Sequence, residues 1–204
     1  MNLSITFFII AITVFVSYSA FGNRLLFERL KFNAYEIASQ RNYFKFLTYG
    51  LLHADWMHLL VNMFVLFSFG SFVEDLLEVY YKAKGPLYFI ILYVTALFFS
   101  VVPVFFKHRR NYYYNAIGAS GAVSSILFAY IIMYPQGSVS FLFIPIPIPA
   151  AVFGILYLAY STYMAKRASD NIAHDVHAWG ALYGVAFVAV LDWRFIQMFF
   201  DFLL

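Results

Sequence analysis

Three short stretches carry side chains whose types and spacing permit chemistry, and each opens an apolar run. Gly118-Ala119-Ser120-Gly121 sets one serine between glycines. His53-Ala54-Asp55-Trp56-Met57-His58-Leu59-Leu60-Val61-Asn62 opens an earlier run, and Ala173-His174-Asp175-Val176-His177-Ala178-Trp179-Gly180 opens the last. A serine hydroxyl attacks poorly at neutral pH unless a base removes its proton. The neutral imidazole of His177 is the best candidate for that base. His58 and Asn62 are spaced i, i+4 and share a helix face. Both can donate hydrogen bonds, and with the Ser120 backbone N–H they can hold the oxyanion formed when a carbonyl is attacked. The start of a helix at Ser120 adds partial positive charge.

Each residue also has a plainer reading. Ser120 can be a small packing residue, His177 an interfacial histidine, and Asn62 a partner in an interhelical hydrogen bond. His53 and Asp55 read as entrance or capping residues. Asp175 lies two residues from His177, about 200° around a helix, so a Ser–His dyad is expected rather than a triad. Gly180 and Gly184 form a GxxxG face just after His177. Gly121 and Ala122 on the fourth helix are equally small, so the two backbones can approach closely.

The elements that must position these groups lie in a membrane. Of 204 residues, 64% are hydrophobic, 23% aromatic and 11% charged, and mean hydropathy is +0.78. Soluble domains are nearer 45–50% apolar and about 25% charged, so this composition leaves too little polar surface to cover a globule. The net charge of +3 is small and sits mostly in short loops, which implies no nucleic-acid surface. With no cysteine there can be no disulfide or thiolate metal site.

Counting about 20 apolar residues per crossing gives six helices, near 3–21, 48–71, 86–106, 119–134, 150–164 and 176–191. The runs are apolar on every face, which excludes the alternation of a barrel strand. The fold expected is an all-α, six-transmembrane-helix bundle in a single domain spanning 1–204. A polar loop from Glu74 to Lys84 should follow the second helix. The segment 22–45 mixes Arg24, Arg29, Lys31, Arg41 and Lys45 with apolar residues, a pattern that suits the lipid headgroup layer. Pro145, Pro147 and Pro149 remove backbone donors, so the fifth helix should start near Ala150 after an extended lead-in. The tail FIQMFFDFLL should lie along the membrane surface. If the six helices alternate in direction, the second, fourth and sixth all enter from one face, and all the chemistry falls at one level.

At these residues the sequence resembles the rhomboid family of intramembrane serine proteases. GASG at 118–121 matches the family's GxSG, HADWMHLLVNM at 53–63 resembles its HxxxxHxxxN helix, and VHAWGALYG at 176–184 resembles its AHxxG motif. The resemblance runs from about Phe44 to Leu191. It implies Ser120 as nucleophile, His177 as base, and His58, Asn62 and the Ser120 backbone as oxyanion donors. Gly118, Gly121, Gly180 and Gly184 become packing glycines, and no metal or other cofactor is needed.

The implied substrates are transmembrane segments of other proteins, unwound near the cut and entering beside a movable fifth helix. Membrane lipids are the remaining partners. The implied location is a plasma membrane, the inner membrane in a bacterium, with the active site on the non-cytoplasmic side. Charge counting points the other way: ten cations lie in the odd-numbered connections and three on the opposite side. The family topology is preferred, because a basic amphipathic first connection binds headgroups on either side.

The sequence departs from the family pattern at three places. Phe44-Lys45 stands where many members have Trp-Arg, Val176 replaces the alanine of AHxxG, and Ser124 stands where some members carry an aromatic under the histidine ring. Two rival readings are a rhomboid-like protein that binds clients without cutting them, and a transporter or metal carrier using His53, His58, His174 and His177.

Overall fold

A computed structural model describes residues 4–141, 144–167 and 172–203. Leu3 of the first expected span and residues 142–143 of the apolar lead-in lie outside them. Among the described residues the chain is mostly helical. The first long helix, α1 (Ile5–Phe21), buries Thr6, Thr13, Ser17 and Ala20, a stripe of small residues that lets it lie close to its neighbours. The basic segment that follows folds into α2 (Arg24–Leu30), β1 (Phe32–Asn33), α3 (Ala34–Gln40) and α4 (Lys45–Thr48). Asparagines start two of these: Asn23 accepts from the Leu26 N–H and Asn33 from the Glu36 N–H, as N-caps do. Lys45 is buried but paired, donating to Glu36 Oε2 at 2.6 Å and to the Glu28 carbonyl at 3.1 Å.

A continuous helical run then extends from Trp56 to His108. It comprises α5 (Trp56–Val65), a π turn over Leu66–Gly70, α6 (Ser71–Tyr81) and, after a tight turn, α7 (Gly85–His108). At 1.5 Å per residue its 53 residues would stretch about 80 Å, against about 30 Å of hydrocarbon. The turn resolves this. Lys82 takes φ 50, and a Cβ on Gly85 would lie 2.5 Å from the Glu78 nitrogen, so α7 folds back against α6.

The expected bounds of the second helix need correcting on both sides. Residues 45–51 form α4 and a 3-10 turn, and Leu52 is extended (φ −102, ψ 148). The helix proper starts at Trp56, capped by Asp55, whose side chain accepts from the His58 N–H at 2.8 Å. At the other end the expected polar loop is helix as far as Tyr81. Glu74 is only 5% exposed because its carboxylate closes the start of α1. It accepts from the Ile5 and Thr6 N–H groups at 2.7 and 3.0 Å and from the Ser4 and Thr6 hydroxyls at 2.8 and 2.7 Å. Those are orphan donors of a helix N-terminus, and a carboxylate also suits the helix dipole there.

The strand β2 (Asn115–Ala116) pairs antiparallel with β1 and leads into α8 (Ser120–Met133). Every residue from Gly121 to Met133 is buried, so α8 is the axis of the molecule. Helices α6 and α7 pack against it, as do the later helices.

The proline-rich lead-in forms a two-stranded ribbon of β3 (Ser138–Phe141) and β4 (Ile144–Pro149). Alternating prolines are compatible with a ribbon because every second N–H of a strand points to its unpaired edge. Then come α9 (Ala150–Arg167), α10 (His174–Leu191) and α11 (Arg194–Leu203). The axes of α10 and α11 meet at 115°, which turns the apolar tail across the bundle.

By length and hydropathy, the run Trp56–His108 meets the requirement for crossing a membrane, and α10 with α11 meets it jointly despite the bend. Helices α1 and α8 are apolar but shorter, at 17 and 14 residues.

Candidate active site

The serine is delivered by a loop that only glycine permits. Gly118 has φ 109, a conformation that L side chains rarely adopt. A Cβ there would also lie 2.8 Å from His58 Cε1, 3.0 Å from His58 Nε2 and 3.7 Å from Ser120 Oγ. One small space is therefore flanked by the imidazole nitrogen and the hydroxyl. The loop is held from outside by Gly118 N–H donating to the Tyr49 carbonyl at 3.0 Å. The buried Tyr49 is in turn fixed at 2.9 Å to the Leu97 carbonyl and at 3.1 Å to Ser100 Oγ. As the first residue of α8, Ser120 has a backbone N–H with no partner within the helix.

Helix α10 meets α8 without intervening side chains. A Cβ on Gly180 would collide with the Gly121 carbonyl oxygen, and one on Gly184 with the Ser125 carbonyl oxygen. The Ser125 hydroxyl crosses the seam to the Gly180 carbonyl at 2.6 Å. The two contacts advance by four residues in both helices, so α8 and α10 run parallel. With that register the Cα levels of His177 and Ser120 are two residues, about 3 Å, apart along the axis. The side of Gly121 lies against Val176, 2.9 Å from Cγ1 to a Cβ built there. Both Ser120 and His177 are half-buried.

The structure thus brings His58, Gly118 and Ser120 to one space and sets Gly121 against Val176 and Gly180, on either side of His177. Asn62 is 6% exposed and donates one amide hydrogen to the His58 carbonyl at 2.9 Å, leaving its second N–H for another acceptor. Asp175 faces away from the seam. It accepts from the Tyr114 hydroxyl at 3.2 Å and pairs with Lys107 at 3.6 Å.

The tautomer of His58 follows from its partner. Its Nδ1 accepts from the Ala54 N–H at 3.4 Å, so in the neutral ring the proton sits on Nε2, the nitrogen beside Gly118 and Ser120. His53, expected at an entrance, is instead 1% exposed. Its Nδ1 lies 3.0 Å from the Ser17 hydroxyl, and its ring centroid is 4.9 Å from that of His58. His53, His58, His174 and His177 fall into two pairs, with the centroids of His174 and His177 5.8 Å apart. Among the described residues no three His, Asp or Glu side chains converge as a metal site.

Ser124, which stands where some relatives of this pattern carry an aromatic, is tied to α9 instead. The Tyr157 hydroxyl of α9 lies 2.6 Å from the Ser124 hydroxyl, one turn past Ser120. Sequence reasoning missed this bond, as it missed Tyr49, Ser17 and the burial of His53. The only signal for any of them was a polar atom in an otherwise apolar stretch.

The class these features define is a helical membrane protein whose polar chemistry is gathered where three of its helices begin. Residues 40–194 match the family model of the Rhomboid domain. The chain belongs to the rhomboid family.

Its curated relatives are distant. It is 26% identical over 146 residues to the mouse (Mus musculus) mitochondrial presenilin-associated rhomboid-like protein, covering 67% of this chain and 35% of that protein. The human (Homo sapiens) counterpart is 27% identical, with the same coverage. The mitochondrial RHOMBOID-like protein 12 of Arabidopsis thaliana is 25% identical over 194 residues, covering 90% of this chain and 55% of that protein. The chain therefore spans between about a third and about half of the length of these relatives.

Proposed function

We propose that this protein is an intramembrane serine endopeptidase that hydrolyses peptide bonds in or near transmembrane segments of other membrane proteins. Ser120 attacks the scissile carbonyl, and His177 takes its proton and returns it to the leaving amine. The oxyanion is met by His58 Nε2–H, the free amide hydrogen of Asn62 and the Ser120 N–H at the start of α8. The observation that carries the reading is the placement of Ser120 between two helices bearing histidines. One offers Nε2–H to the space beside the hydroxyl, and the other is locked in parallel register by glycines.

In this reading the chain is one membrane domain with six crossings, made by α1, α5 with α6, α7, α8, α9 and α10. The site opens to the non-cytoplasmic side. Substrate enters beside α9, the weakly packed helix. Engineered cysteines that tether α9 to α5 should slow cleavage, and unchanged cleavage would contradict that route.

A fluorophosphonate probe tests the nucleophile directly. Purified protein in detergent should be labelled at Ser120, and labelling should vanish in Ser120→Ala and fall sharply in His177→Ala. Equal labelling of all three would reject the assignment.

A further inference from the structure

His53 lies outside the mechanism just given, yet it is one of the most buried polar side chains in the molecule and packs its ring on that of His58. Its hydrogen bonds fix its state. The Ser17 hydroxyl of α1 has one proton and donates it to the Leu51 carbonyl at 2.8 Å. Toward His53 that oxygen can therefore only accept, so the hydrogen between them, at 3.0 Å, belongs to His53 Nδ1. His53 Nε2 is buried without a partner. A proton there would be a buried donor with no acceptor, and on an imidazolium it would also carry an unpaired charge; both are costly. His53 is thus neutral, with Nδ1 protonated and an aprotic edge at Nε2.

Its ring stands at 70° to that of His58. The same short loop supplies the Ala54 N–H that holds His58 Nδ1 and the Asp55 carboxylate that caps α5. One hydroxyl on α1 therefore anchors a ring on the loop, and that ring borders the imidazole whose Nε2–H faces Ser120.

We infer that His53 is a positioning residue, which Ser17 holds in its Nδ1–H tautomer and which keeps His58 oriented with Nε2–H toward the oxyanion space. This couples α1, which contributes nothing else to the site, to the oxyanion donor on α5. The inference rests on the endopeptidase reading for its kinetic consequence but not for its spectroscopic one.

The test combines both in Ser17→Ala, Ser17→Thr and His53→Phe, each made in the full chain. In nitrogen-15 spectra of histidine-labelled protein, wild type should show His53 protonated at Nδ1 and His58 at Nε2. Ser17→Ala should broaden or shift both pairs of signals, and Ser17→Thr, which keeps a hydroxyl, should restore them. His53→Phe keeps a ring but loses the anchor, and should disturb the His58 signals alone. In cleavage assays Ser17→Ala and His53→Phe should lower kcat roughly tenfold with little change in KM. A misplaced oxyanion donor weakens the transition state more than the bound substrate.

If the His58 signals and kcat both stay at wild-type values in Ser17→Ala and His53→Phe, the inference is overturned. If the signals move as stated while no form of the protein cleaves or labels, the positioning relation stands and the endopeptidase reading fails.

Discussion

Helices α9 and α10 both flank α8, and they are attached to it in opposite ways. The α8–α10 seam is backbone on backbone, with two glycines of α10 pressed on carbonyls of α8 and a serine hydroxyl bridging them. Helix α9 buries little beyond Ala150, Ala151, Gly154 and Ser161, and leaves Val152, Ile155, Leu156, Tyr160 and Tyr163 exposed. One polar tie to α8 is the Tyr157–Ser124 pair. A packed glycine seam has no slack, because moving either helix separates backbones that nothing can refill. A side-chain tie can break and re-form at a net cost of about 1 kcal/mol. The proposed dyad therefore sits on the rigid side, and the helix proposed to admit substrate is on the adaptable side.

The largest effect expected from breaking this contrast is at the seam. Gly180→Ala drives a methyl group into the Gly121 carbonyl and must push α10 away from α8. We expect a loss of roughly 3 kcal/mol of stability, at the upper end of overpacking, read as a lower unfolding midpoint in detergent. Residual folded protein should cleave at least tenfold more slowly, since His177 moves with the helix.

The α9 side should respond more mildly and in the other direction. Tyr157→Phe removes one hydrogen bond and should lower stability by about 1 kcal/mol. Freeing α9 should leave cleavage in proteoliposomes unchanged or raise it a fewfold; a large loss would show that α9 belongs to the rigid part. The smallest effect is expected at Gly154→Ala. There the new methyl would sit 3.2 Å from the flexible tip of Ile131, and we expect a change within about 0.5 kcal/mol and near-normal cleavage. A collapse like that at Gly180 would erase the distinction between the two helices.

Much of this was legible in the sequence. The start of α8 at Ser120 and of α9 at Ala150 follow from local rules: glycine at the turn, and proline that cannot extend a helix backwards. The GxxxG face of α10 foretold a close approach, and the seam has it. The second helix was misjudged at both ends because its limits depend on distant partners. Glu74 reads as a loop residue until the start of α1, 68 residues away, supplies its donors. Residues 48–52 read as apolar helix because hydropathy does not register the extended Leu52 or the cap at Asp55. His53 looked like an entrance residue because its burial depends on Ser17, 36 positions earlier. The substitution of Ser124 for an aromatic was visible, but that Tyr157 would reach it was not, since only packing brings α9 to that turn of α8.

The most direct measurement is cleavage of single-span model substrates in proteoliposomes by wild type, Ser120→Ala and His177→Ala, without added metal or nucleotide. The account predicts cutting by the wild type and a loss of three orders of magnitude or more in each variant, as removal of a nucleophile or its base produces. Equal cutting by all three would place the activity elsewhere, and binding of substrate without cutting by any of them would make this a client-binding member of the family.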